Sequence, residues 1–85
     1  MSKREKIIER LKSKPKDFTY DEAKKVLNIF GFTEDNKGKT SGSRVVFENE
    51  SINEKIELHK PHPSNILKTY QINKLLNKLK EMEVI

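Results

Sequence analysis

Apolar residues recur along the chain at spacings that predict six elements. Residues 3–13 place Ile7, Ile8 and Leu11 on one helical face, and Pro15 stops that helix. Three apolar positions make a narrow stripe, which predicts a peripheral element. Removing residues 1–14 is then expected to leave the rest folded, at a cost of about 1–3 kcal/mol. Thr19-Tyr20-Asp21-Glu22 has the form of a capping box, in which hydroxyl and carboxylate satisfy free N–H groups reciprocally. Ala23, Val26, Leu27 and Phe30 follow at i, i+3, i+4 and i+7, the spacing of a buried helical face. Gly31 supplies the left-handed residue that ends this helix.

Beyond it the period changes. Phe32 to Lys37 reads as a strand turning at Asn36-Lys37-Gly38, Arg44 to Glu48 as a second strand, and Ile52 to His59 as a third. Alternation puts Val45 and Phe47 on the face shared with Ile56 and Leu58, and puts Arg44 and His59 on the opposite, wetter face. Pro61 and Pro63 exclude regular structure between this strand and a last helix, whose apolar side is Leu67, Ile72, Leu75, Leu76 and Leu79. The tail from Glu81 to Ile85 is expected to fray.

These elements describe an α+β fold: a three-stranded antiparallel sheet with two main helices packed on one face, plus an extra N-terminal helix. The expected division is a basic helical extension, 1–16, and an α+β domain, 17–85. A chain of 85 residues is one small domain, and with no cysteine it has neither disulfides nor a thiolate metal site. There is no internal repeat.

Charge sharpens the picture. The net charge is +5 and the pI about 9.5, which points to a polyanionic partner. Residues 1–16 hold seven cations and two acids, an excess equal to the whole net charge. No apolar run approaches the roughly 18 residues of a membrane span, and Ser2 to Lys6 lacks the apolar segment of a signal peptide. The expectation is a soluble cytoplasmic protein without a membrane partner.

Candidate chemistry concentrates between Gly38 and Asn65. This stretch holds both histidines, two of the three glycines and two of the three prolines. Acid–base work on a polyanion's phosphate needs groups that take and give a proton, with positive charge on the phosphate. His59 and His62 suit the proton roles. Arg44 stays protonated, so it serves as a bidentate fork on the phosphate and not as a base. His62 is favoured over His59 because two prolines brace its backbone. Each histidine alone also reads as an ordinary surface or turn residue. Two imidazoles without a carboxylate cluster make a poor metal site, so neither metal nor cofactor is expected. Ser43 lacks an evident base and orienting partner for a nucleophile's role. Tyr20 and Tyr70 lie beside helical stripes and read as packing residues.

The residues resemble the HicA-type toxins of bacterial toxin–antitoxin systems. The resemblance spans Phe18 to Leu79 and rests on Asp21 to Leu27 ending in Gly31-Phe32, Gly42-Ser43-Arg44-Val45-Val46-Phe47, Leu58-His59-Lys60-Pro61-His62, and Leu67-Lys68 leading to Ile72 and Leu75-Leu76. It implies a double-stranded-RNA-binding-like fold of order α-β-β-β-α, an mRNA-cleaving activity and a HicB-type antitoxin partner. In the family a histidine, thought to be catalytic, usually follows Gly-Ser; here that place holds Arg44. The candidate catalytic residues are therefore His62, His59 and Arg44, and the candidate RNA-binding residues Lys37, Lys39, Ser41, Ser43, Lys60 and Lys68. The competing readings are a non-catalytic RNA-binding module and a domain that only docks an antitoxin.

Overall fold

The computed structural model describes residues 3–35, 44–61 and 64–85. Three helices, α1 (Lys3–Lys12), α2 (Tyr20–Ile29) and α3 (Thr69–Glu81), accompany three strands, β1 (Thr33–Asp35), β2 (Arg44–Asn49) and β3 (Glu54–His59). The sheet is antiparallel in the order β1-β2-β3. The fold is α+β, as the pattern predicts.

Local chemistry fixes α2 at both ends. The Thr19 hydroxyl accepts from the Glu22 N–H and a Glu22 carboxylate oxygen accepts from the Thr19 N–H, both at 3.1 Å, so the capping box closes. At the other end Gly31 has φ +88°. The Phe32 N–H returns to the Leu27 carbonyl at 2.9 Å and the Gly31 N–H to that of Asn28 at 3.1 Å, the paired bonds of a Schellman motif. A side chain at Gly31 would also place its Cβ 2.8 Å from Asn49 Nδ2. That buried amide donates to the Phe30 carbonyl at 2.9 Å and accepts from the Ser51 N–H and hydroxyl at 3.1 and 2.8 Å. It joins the end of α2 to the β2–β3 turn.

The strand register follows the alternation: Arg44 pairs with His59, Val45 with Leu58 and Phe47 with Ile56. Val45, Phe47, Ile56 and Leu58 are buried with Val26 and Leu27 of α2 and Ile72, Leu75, Leu76 and Leu79 of α3, while Arg44 and His59 lie exposed on the other face. β3 begins at Glu54 and not at Ile52, because Ile52 and Asn53 belong to the turn. β1 begins at Thr33, one residue after Phe32, and its expected turn lies outside the described residues.

Three expectations change. α1 is not peripheral: it packs against α2 and α3, and Leu11 is fully buried. One well-aimed side chain secures what a narrow stripe does not advertise. Arg10 reinforces the contact, donating to Glu22 at 2.6 Å and to Asp17 at 3.0 Å. Leu67 precedes α3 instead of belonging to it. Its N–H donates to the Phe18 carbonyl at 2.8 Å beside a bridge between Thr19 and Ile66, so extended backbone ties this segment to the start of α2. The tail does not fray either. Glu83 adopts φ +58°, and the Val84 and Glu83 N–H groups return to Leu79 and Lys80; this second Schellman motif directs Ile85 against the core.

Candidate functional site

The β2–β3 register sets Arg44 directly opposite His59. Glu57, two residues before His59, shares its sheet face because strand side chains alternate. Its carboxylate stands between the two: 3.5 Å from Arg44 Nη1 and 3.9 Å from His59 Nε2. The second distance is too long for a direct hydrogen bond, so the carboxylate faces the imidazole across a gap.

The main chain of His59 is held from beneath. The Gln71 side chain, 3% exposed, accepts from the His59 N–H at 2.7 Å and donates to its carbonyl at 3.0 Å. α3 thus supplies a side-chain amide on the edge of β3 that has no neighbouring strand among the described residues. The backbone is pinned while the imidazole remains half-exposed.

His59 also borders a cleft of about 320 Å³ at the start of α3, shared with Lys60, Ser64, Ile66, Lys68 and Tyr70. Lys68 occupies the N-cap of α3 without a side-chain cap, so the positive end of that helix adds to two lysines. Tyr70 is 60% exposed, contrary to its reading as a packing residue; it lies on the helical face away from the core stripe. Tyr20 is buried as expected.

Behind the cleft lies a charged chain. Lys60 Nζ sits 5.8 Å from the centre of the Tyr20 ring. The Tyr20 hydroxyl donates to Glu34 at 3.2 Å, and Lys24 pairs with Glu34 at 3.2 Å. Burial first, then the Glu34 charge, push the Tyr20 hydroxyl well above its ordinary range. Burial alone would raise Glu34, but the Lys24 ammonium, with help from Tyr20 and Lys60, holds it below the ordinary carboxylate value. Together these contacts position the lysine that follows His59.

The structure therefore sets Arg44 opposite His59 on the sheet and His59, Lys60 and Lys68 around the cleft, which Arg44 does not line. His62, Lys37, Lys39, Ser41 and Ser43 lie outside the described residues. Glu57 and Gln71 went unnoticed in the sequence. Glu57 had a signal, its i, i+2 relation to His59 on one strand; Gln71 had none. Among the described residues no group of three His, Asp or Glu side chains could hold a metal ion, and no helix is long and apolar enough to cross a membrane.

Fold and site define a small, basic α+β protein with an arginine, a carboxylate and an imidazole on one sheet face. The family model of the HicA toxin of bacterial toxin–antitoxin systems matches residues 20–83, and the chain belongs to that family. No curated protein and no solved structure matches it significantly.

Proposed function

We propose that this protein is a cytoplasmic, RNA-cleaving toxin, a metal-independent mRNA endoribonuclease restrained by a HicB-type antitoxin. The observation that carries the reading is the placement of His59, between Glu57 and Arg44 on one side and the lysine-lined cleft on the other. In this scheme an imidazole removes the 2′-hydroxyl proton, and the 2′-oxygen attacks phosphorus. The bond to the 5′-oxygen breaks as an acid returns a proton to it, leaving a 2′,3′-cyclic phosphate. His59 and His62 divide the two proton roles. Arg44 and Lys68 stabilise the charge developing on the phosphate. Ile66 and Tyr70 offer exposed apolar surface on which an unpaired base stacks.

The test is transcript cleavage by purified wild type, His59→Ala, His62→Ala and the double variant over a pH series. Cleavage by wild type that is lost in the double variant supports histidine catalysis. A double variant that cuts as fast as wild type removes it. A wild type that binds RNA without cutting leaves the non-catalytic module in its place.

A further inference from the structure

A second concavity, of about 570 Å³, lies between α1 and α2. It shares no residue with the His59 cleft, and α1 falls outside the family match. Its rim carries Lys3, Arg4 and Lys25, its floor includes Ile7 and Ile29, and no carboxylate lines it.

The cations here stand outside the ion pairs of the described surface, as Lys60 and Lys68 at the His59 cleft also do. Arg10 pairs with Glu22 and Asp17, Lys24 with Glu34, Arg44 with Glu57, Lys55 with Glu48 and Lys78 with Glu54. Lys3, Arg4 and Lys25 form no ion pair among the described residues. Lys3 and Arg4 also occupy the first turn of α1, where the helix dipole disfavours cations. Glu5 is the acid of that first turn but does not line the groove, so an external anion best compensates the cations that do.

The floor decides which anion. A phosphate backbone gains nothing from two isoleucines, whereas a peptide with carboxylates flanking apolar side chains satisfies rim and floor together. The walls are two helices, and α1 spans ten residues, about 15 Å, which matches some three turns of a helix laid alongside. We infer that the α1–α2 groove docks an acidic amphipathic helix of a partner protein. The inference is independent of RNA cleavage.

The test uses the full chain and a synthetic helical peptide with leucines at i and i+4 flanked by glutamates. Controls are the same peptide with both leucines replaced by serine, and a single-stranded RNA oligonucleotide of equal charge. Binding is read by fluorescence anisotropy and by the methyl NMR signals of Ile7 and Ile29. The leucine peptide should shift both signals, and should bind about tenfold more weakly to Lys25→Glu and to Arg4→Glu, each checked for an unchanged melting temperature. The serine peptide should lose a similar factor. Equal binding by the serine peptide, or unmoved Ile7 and Ile29 signals, overturns the proposal. RNA that displaces the peptide and shifts those methyls assigns the groove to nucleic acid instead.

Discussion

The buried amide of Gln71 takes both main-chain hydrogen-bonding groups of His59, accepting from its N–H at 2.7 Å and donating to its carbonyl at 3.0 Å. An antiparallel strand alternates groups turned toward its neighbour with groups turned away, so this amide completes the end of β3 where the sheet stops. It also couples the position of the imidazole to α3. Gln71→Leu keeps the volume and strands both groups, which should cost about 1–3 kcal/mol in denaturant unfolding. A variant as stable as wild type would show that water replaces the amide without loss.

Acid should weaken the protein through Glu22. The Arg10 guanidinium, opposed by partial burial and aided by the Thr19 N–H, holds this carboxyl below its ordinary value of 4.5. A depressed folded pKa gives stability that is fully present above the unfolded pKa and lost as the pH falls through the folded one. Melting temperature should therefore drop on acidification below the ordinary carboxylate range. Glu34, depressed with Lys24 as its partner, adds to the same slope. Arg10→Ala should flatten the part due to Glu22 and leave that of Glu34. Identical acid profiles for wild type and Arg10→Ala would exclude the Arg10 contact as the cause.

The burial of Leu11 raises the expected cost of losing α1. Leu11→Ala should destabilise by about 2–5 kcal/mol, the range for a leucine deleted from a closed core. Removing residues 1–14 takes away Ile7, Leu11 and the Arg10 contacts together, so the truncated chain should be less stable than Leu11→Ala. Thermal melts of the two variants decide whether residues 1–16 form an extension or belong to the domain. A truncation that melts like wild type would restore the view of α1 as an accessory.

What the sequence revealed was whatever is encoded by period or by local bonding. Thr19, Glu22 and Gly31 announced the limits of α2 because caps are made by neighbours in the chain. Val45, Phe47, Ile56 and Leu58 announced the strand register because a slip of one residue would turn all four outward. Leu11 was misjudged because the depth of a side chain depends on what lies across from it, and a stripe's width does not say. Glu83 could not be foreseen as a left-handed helix end, since such a position normally favours glycine. Half of the candidate site was legible as residue types, His59 with Arg44, Lys60 and Lys68. Its organisation was not, because the Gln71 contact joins residues from separate elements across the core.

RNA binding, on the proposed function, should fall steeply with salt. Each lysine that meets a phosphate releases counterions, giving a slope of about 0.7 per contact for a single strand. Lys60→Ala and Lys68→Ala should each reduce the slope by about that amount, whereas Lys74→Ala, away from the His59 cleft, should leave it unchanged. A slope indifferent to Lys60 and Lys68 would move the RNA path elsewhere.

On the proposed function, substitution of Glu57 should separate binding from cleavage. Its carboxylate contacts both Arg44 and His59, and it repels a phosphate approaching either. Glu57→Gln is nearly isosteric and removes that repulsion, so affinity for RNA should rise. The same change removes the carboxylate that faces the imidazole, so turnover should fall, by about 10–100-fold if Glu57 acts as a positioning residue. Arg44→Lys keeps the charge and loses the planar fork, so it should retain binding better than turnover. A purely structural Glu57 would instead shift melting temperature and lower both quantities together. Affinity and single-turnover cleavage, measured on the same preparations of wild type, Glu57→Gln and Arg44→Lys, distinguish these outcomes. If Glu57→Gln cuts at the wild-type rate while His59→Ala is inactive, His59 works without its carboxylate neighbour, and the imidazole's activation must come from the lysine-lined side of the cleft.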